Sequence, residues 1–336
     1  MNRSLLRAEV SVGVFLAAVV ALADPVRAQP REDSQAEETL SAVVRVKARI
    51  PREARTAVTL GTEREGTGVI VRSGYVATIG YLALEAEAIE VTNVDGATVP
   101  ATLAGYDHAS GFGVLKLLAP IAGKPMPLGD SAALAERDLA LVAAFGGGDA
   151  VNVVYVVSRR SFSGSWEYLL DSAIYTYPPV RNWSGAALIG SKGELLGLGS
   201  LIVGDAGGQG TRSPGNMFVP IDLLKLVLDD LIERGRASGA VRPWLGMYSE
   251  ELRGRIFVLR VSPGGPAERA GVKSGDIVLA VGEQDVESLA DFYRKVWALG
   301  AAGVEVSLRV LQGSTVRNVK VRSADRLEYL RSAPSY

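Results

Sequence analysis

The chain has 336 residues, with 36 lysines and arginines against 37 aspartates and glutamates. A net charge of −1 without a basic run excludes nucleic acid as a natural partner. No cysteine is present, which excludes disulfides and thiolate chemistry, and a single histidine, His108, leaves only carboxylates to ligate a metal, so neither a metal nor another cofactor is expected.

Read in chain order, Arg3 and Arg7 precede an apolar run over 10–23, with small-residue cleavage sites ending at Ala23 or Ala28. This is the layout of a secretory signal peptide over 1–28 and predicts a periplasmic or otherwise secreted protein. The run is too short to span a bilayer. An uncleaved interfacial anchor is the alternative, because Glu9 is atypical there. Residues 29–40 are polar and unpatterned and read as a flexible leader.

Between 41 and 235, short apolar or alternating runs predict strands at 41–46, 68–71, 89–94, 113–118, 139–144, 151–157 and 195–203. Strands at such intervals with no long helix between them indicate an antiparallel barrel or sandwich. A helix follows, with Asp222 as its cap, an apolar stripe through Leu223, Leu224, Val227, Leu228 and Leu231, and Gly235 at its end. Residues 236–243 are a small, polar linker.

A second module is predicted at 244–325, followed by a tail at 326–336. Strands are expected at 255–261, 276–281, 304–310 and 316–321, and a helix capped by Ser288 runs to about Leu299, with Leu289, Phe292 and Val296 on one face. Trp244-Leu245-Gly246-Met247, Ser262-Pro263-Gly264-Gly265-Pro266-Ala267 and Ala270-Gly271-Val272-Lys273-Ser274-Gly275-Asp276 stand in the order of a PDZ domain, which this module resembles. A PDZ domain captures peptides: backbone N–H groups of a glycine-containing loop hold a terminal carboxylate, and an edge strand pairs with the extended peptide. The resemblance implies that Trp244, Leu245, Gly246 and Met247 form that loop, that Ile256 and Val258 lie on the edge strand, and that Leu289, Phe292 and Val296 line the side-chain pocket. Those apolar residues serve equally as core.

The first module carries matching signs. Gly66-Thr67-Gly68-Val69-Ile70-Val71, Val114-Leu115-Lys116, Pro127-Leu128-Gly129-Asp130-Ser131 and Gly193-Glu194-Leu195-Leu196-Gly197 resemble the HtrA/Deg serine proteases. The fold class implied is mainly β: a two-lobed trypsin-like antiparallel β-barrel domain followed by a small α+β PDZ domain.

The catalytic positions depart from that family. Where its T-N-x-H-V segment places the histidine base, Thr78-Ile79-Gly80-Tyr81-Leu82 has Tyr81. Where S-D-L-A supplies the orienting carboxylate, Ser110-Gly111-Phe112-Gly113 has Gly111. The nucleophile segment reads Asn182-Trp183-Ser184-Gly185-Ala186-Ala187, so Ser184 survives while Asn182 replaces an oxyanion-loop glycine ahead of Trp183. A phenol with a pKa of about 10 is a poor proton acceptor at neutral pH. Loss of the base alone removes about a millionfold in turnover from a serine protease. His108 reads as a solvated turn residue, and Lys192, in the turn Gly190-Ser191-Lys192-Gly193, as a surface charge.

The resulting expectation is a pseudoprotease acting as a PDZ-mediated peptide-binding adaptor, scaffold or regulator in envelope protein quality control. Its partners would be C-terminal or extended peptides, with an active HtrA-type protease or a second copy of the chain as further candidates. An active endopeptidase using Ser184 and a holdase chaperone are the alternatives; only the enzyme needs Ser184, and only the adaptor needs Gly246 and its groove.

Overall fold

The computed structural model describes residues 29–146, 150–208 and 210–331. The expected signal peptide lies outside these residues, as does the tail beyond 331. Among the described residues no helix is long and apolar enough to cross a membrane.

The polar stretch expected to be a flexible leader is helical: α1 spans Gln29–Ser41. Two six-stranded barrels follow. In the first, β1 (Val43–Arg49), β2 (Glu63–Arg72), β3 (Tyr75–Ile79), β4 (Ala88–Thr92), β5 (Thr98–Tyr106) and β6 (Phe112–Leu117) close in the order β1-β2-β3-β6-β5-β4. A short helix α2 (Ala57–Leu60) and a single 3-10 turn (Gly80–Leu82) interrupt it. In the second, β7 (Leu139–Ala143), β8 (Val151–Gly164), β9 (Tyr168–Tyr177), β10 (Ala187–Ile189), β11 (Leu195–Val203) and β12 (Gly215–Pro220) close as β10-β11-β12-β9-β8-β7. Alternation places Val44, Val46 and Ala48 of β1 in the first interior, and Val154 and Val156 of β8 in the second, all at most 2% exposed. Closure leaves no free sheet edge in either barrel.

Helix α3 (Asp222–Arg234) buries Leu224, Leu228 and Leu231 and ends at Gly235, whose φ of 76° is the left-handed conformation glycine adopts without penalty. Asp222 does not cap it through its side chain. Its carboxylate instead accepts from Ser131 Oγ and from the Ala132 N–H, pinning the helix to the loop before β7.

The third unit is a sheet in the order β13-β14-β15-β17-β18, built from β13 (Met247–Leu252), β14 (Arg255–Val261), β15 (Ile277–Val281), β17 (Glu305–Gln312) and β18 (Thr315–Arg322), with β16 (Gln284–Asp285) beside β15. Helix α4 (Pro266–Arg269) and helix α5 (Leu289–Ala298) cover it. As the sequence predicts, Ser288 caps α5, its Oγ accepting from the Asp291 N–H at 3.1 Å. The last described element is α6 (Arg326–Arg331), which seats Leu330 against Leu84 and Tyr106 of the first barrel.

One expectation is corrected by the pairing. Ile256 and Val258 stand on β14, which is hydrogen-bonded to β13 on one side and to β15 on the other. Both side chains are 1% exposed and belong to the core. The edge strand of this sheet is β13, immediately after the Trp244–Met247 loop.

Candidate functional site

Ser184 lies where the two barrels meet. Its carbonyl accepts from the Thr67 N–H of β2 at 2.8 Å, and Gly185, at φ 74°, packs so closely that a Cβ there would fall 1.9 Å from the Thr67 carbonyl oxygen. The Gly185 N–H donates to the Gly199 carbonyl at 2.8 Å, tying the same turn to β11. The serine is thus held by both barrels through its backbone.

Its side chain faces Tyr81. The two hydroxyls are 2.8 Å apart, and Tyr81 Oη also lies 3.1 Å from the Ser200 carbonyl, to which it donates. Tyr81 reaches this position because the 3-10 turn follows directly on β3 and Gly80 fits under the Tyr106 ring, where a Cβ would fall 2.3 Å from it. Burial raises the Tyr81 pKa above its usual value, outweighing the hydrogen bonds from Ser184 and Trp183 that lower it. A phenol raised from an already high value gives up its proton less readily, so it is further from being a base for Ser184.

Gly111 occupies a conformation that resists the missing carboxylate. Its φ is 82°, and a Cβ would meet Tyr168 Oη at 3.2 Å. Tyr168 Oη itself donates to the Ser110 carbonyl at 2.5 Å, and the Gly111 carbonyl accepts from the Gly80 N–H at 2.8 Å. This turn therefore couples to the Tyr81 turn by backbone, without a side chain that could orient a base.

Asn182 is exposed and Trp183 half-buried. With Ser184, Arg45, Phe145 and Arg181 they line a cleft of about 420 Å³. The Trp183 carbonyl accepts from the Ala186 N–H at 3.0 Å. The Val180 backbone ahead of this loop is clamped by Asn216, which accepts from its N–H at 2.6 Å and donates to its carbonyl at 3.0 Å.

His108 is not the solvated turn residue the sequence suggests. Tyr106 Oη lies 3.1 Å from Nδ1, and Arg326 Nη1 donates to Nε2 at 2.8 Å. Burial and the neighbouring Arg326 charge hold it well below its usual pKa, hence neutral. Its partners come from β5 and α6 rather than from the Ser184 cleft, which leaves it no part in the serine's chemistry.

In the third unit, Gly246 has φ 78° and turns the Leu245, Gly246 and Met247 N–H groups to one side. All three meet the carboxylate of Glu167, a residue of the second barrel: Leu245 N–H donates to Oε2 at 2.8 Å, and Gly246 and Met247 N–H donate to Oε1 at 2.7 and 2.9 Å. Glu167 is 3% exposed, and burial pushes its pKa up to about 7 despite these three hydrogen bonds and the nearby Arg326 charge, all of which lower it. Leu289, Phe292 and Val296 are buried on the face of α5 behind this loop. Trp244 pairs with Ala324, and its ring lies 4.5 Å from that of Tyr329, tilted by 43°. Sequence reasoning missed Glu167, because a charged residue in a hairpin turn reads as solvated and its partners lie 78 to 80 residues downstream.

Comparison with known proteins places both units. Residues 66–198 match the trypsin-like peptidase domain and residues 243–322 the PDZ domain. A "Probable periplasmic serine protease do/HhoA-like" of Haemophilus influenzae is 31% identical over 276 residues, 76% of this chain and 57% of the relative. "Periplasmic pH-dependent serine endoprotease DegQ" of Escherichia coli is 29% identical over 76% of this chain and 58% of its own length. The chain therefore spans a little over half the length of these relatives. Among solved structures, the serine endoprotease from Yersinia pestis aligns with TM-score 0.51 and 26% identity over 87% of this chain and 97% of its own. The HtrA-type protease AlgW with decapeptide aligns with TM-score 0.53 over 88% of this chain and 98% of its own, and at 22% identity this likeness is one of fold.

Proposed function

Starting from a chain that is an HtrA/Deg-type trypsin-like domain followed by a PDZ domain, we propose that it is a catalytically silent member of that group, exported by its signal peptide to the periplasm. There it acts as a peptide-binding adaptor, scaffold or regulator in envelope protein quality control. Its relatives' names carry the periplasm and serine proteolysis; the silence is this chain's own.

One observation carries the reading: the side-chain hydroxyl of Ser184 is hydrogen-bonded at 2.8 Å to the phenol of Tyr81 at the position where a serine protease needs an imidazole. Acyl transfer requires a group that takes the serine proton as the bond to carbon forms and returns it to the leaving amine. Tyr81 is neutral, its pKa raised, and it donates to the Ser200 carbonyl, so it holds the serine in place without accepting its proton. Gly111, at the orienting position, supplies no carboxylate to hold a base there.

What remains functional is recognition. The PDZ loop at Trp244, Leu245, Gly246 and Met247 presents a carboxylate site, β13 a strand edge, and α5 an apolar wall, the equipment for an extended or carboxylate-terminated peptide. The cleft beside Ser184 supplies a further concave surface.

The test is cleavage of an unfolded protein such as casein by the purified chain beside its Ser184→Ala variant. Neither should cleave. Cleavage by the unmodified chain, abolished in the variant, establishes the competing reading of an active endopeptidase.

A further inference from the structure

The groove that an adaptor would use is already engaged. Strands β8 and β9 are joined by a three-residue loop, Ser165-Trp166-Glu167, between the pair Gly164 and Tyr168. This loop enters the PDZ groove between β13 and α5 and makes the three kinds of contact a peptide would make there.

The Glu167 carboxylate accepts from the N–H groups of Leu245, Gly246 and Met247 at 2.7 to 2.9 Å. The Ser165 carbonyl accepts from the Ser249 N–H of the edge strand at 2.9 Å, as an added strand would. The Leu169 side chain joins the apolar cluster of the PDZ domain together with Leu245, Leu289 and Phe292. Tyr293 of α5 donates to the Gly164 carbonyl at 2.7 Å, closing the groove over the loop. Arg326 of α6 donates to the Trp166 carbonyl at 3.0 Å from outside.

Local preference argues that this placement is not incidental. Three-residue hairpin loops commonly end in a left-handed residue, normally glycine. Glu167 stands there with φ 59°. A glycine would suit the turn better, and the side-chain contacts of the glutamate offset the conformational cost of its φ.

We propose that the β8–β9 hairpin is a built-in ligand of this chain's own PDZ groove, its Glu167 carboxylate standing for a peptide's terminal carboxylate, so that an external peptide enters only by expelling the hairpin. The inference builds on the PDZ groove being the recognition site proposed above, and it is indifferent to whether Ser184 is inert. Occupancy in cis lowers the apparent affinity for any outside peptide by the fraction of molecules in which the groove is open.

The experiment compares the full chain with Glu167→Gly, which relieves the turn while removing the carboxylate, and Glu167→Gln, which keeps the packing. Two quantities are read: hydrogen exchange of the 245–247 amides, and binding of a fluorescent decapeptide ending in leucine with a free carboxylate. Both variants should exchange those amides at least about tenfold faster and bind the peptide at least about tenfold more tightly than the unmodified chain. The C-terminally amidated peptide should gain nothing. Unmodified amides that exchange as fast as those of either variant, or peptide bound with the hairpin amides 165–169 still protected, overturn the proposal. Casein cleavage by the unmodified chain would refute the silence of Ser184 and leave these readouts unchanged, so the two ideas fail separately.

Discussion

The buried carboxylate of Glu167 makes the contact between barrel and PDZ domain pH-dependent in a direction the structure specifies. Burial pushes its pKa from the ordinary 4.5 up to about 7. The folded chain therefore binds a proton that the unfolded chain has released between these two values, and stability supplied by this group falls as pH rises through that window. It is fully present below 4.5 and lost above about 7. The difference amounts to about 3 kcal/mol in all, most of it between pH 5 and 8. His108, which lies against the Glu167 backbone, is held neutral by burial and Arg326, so it contributes in the opposite sense below about pH 6.5, where only the unfolded chain protonates it; the pKa of Tyr293, raised from 10.0, lies outside this window. The assay is urea unfolding at a series of pH values for the unmodified chain and for Glu167→Gln, whose side chain does not titrate. Subtracting one from the other cancels the background common to both chains. The stability advantage of the unmodified chain should shrink by about 2 to 3 kcal/mol from pH 5 to pH 8. An advantage that grows with pH would show that the three N–H groups outweigh burial and would refute the reasoning.

Two further outcomes follow from the geometry. Tyr81→His supplies an imidazole beside Ser184 but leaves it unoriented, because Gly111 at φ 82° and the Tyr168 hydroxyl exclude a carboxylate without rearrangement; casein cleavage by this variant should stay at background. Ser288→Ala removes the acceptor of the Asp291 N–H at the start of α5, leaving the Leu289 N–H on the Glu251 carboxylate, and should cost about 1 kcal/mol in urea unfolding, with no effect on the Tyr81 and Ser184 pair.

How far the fold could be read from the chain depended on where its signals are local. Alternation and glycine-bounded apolar runs place β1, β7, β11 and most of the PDZ strands, because one face of each is buried and the period is carried in a few adjacent residues. Strand β13 escaped, since Met247-Tyr248-Ser249-Glu250-Glu251-Leu252 lies at a sheet edge and half of it is exposed, so its apolar content is slight. Mistaking β14 for the edge followed directly. The Tyr81, Gly111 and Ser184 positions were legible from short motifs, and the structure brings Tyr81 and Ser184 into contact across 103 residues. Their meaning as a hydrogen-bonded pair was not, because a motif says which residue stands at a position and not what its hydroxyl donates to. Asp222, His108 and Glu167 share a common reason for being misread. Each is a polar side chain whose partner comes from a distant element, Ser131, Arg326 and the Leu245–Met247 loop respectively, and polar residues next to turns are more often solvated than buried.

The claim that Ser184 lacks a base is tested most directly by its reactivity toward a fluorophosphonate, which phosphonylates serines whose proton is removed by a neighbouring group. Intact mass spectrometry of the purified chain after incubation at pH 8 should show no adduct. An adduct that disappears in Ser184→Ala would show that the serine is activated and would contradict the account.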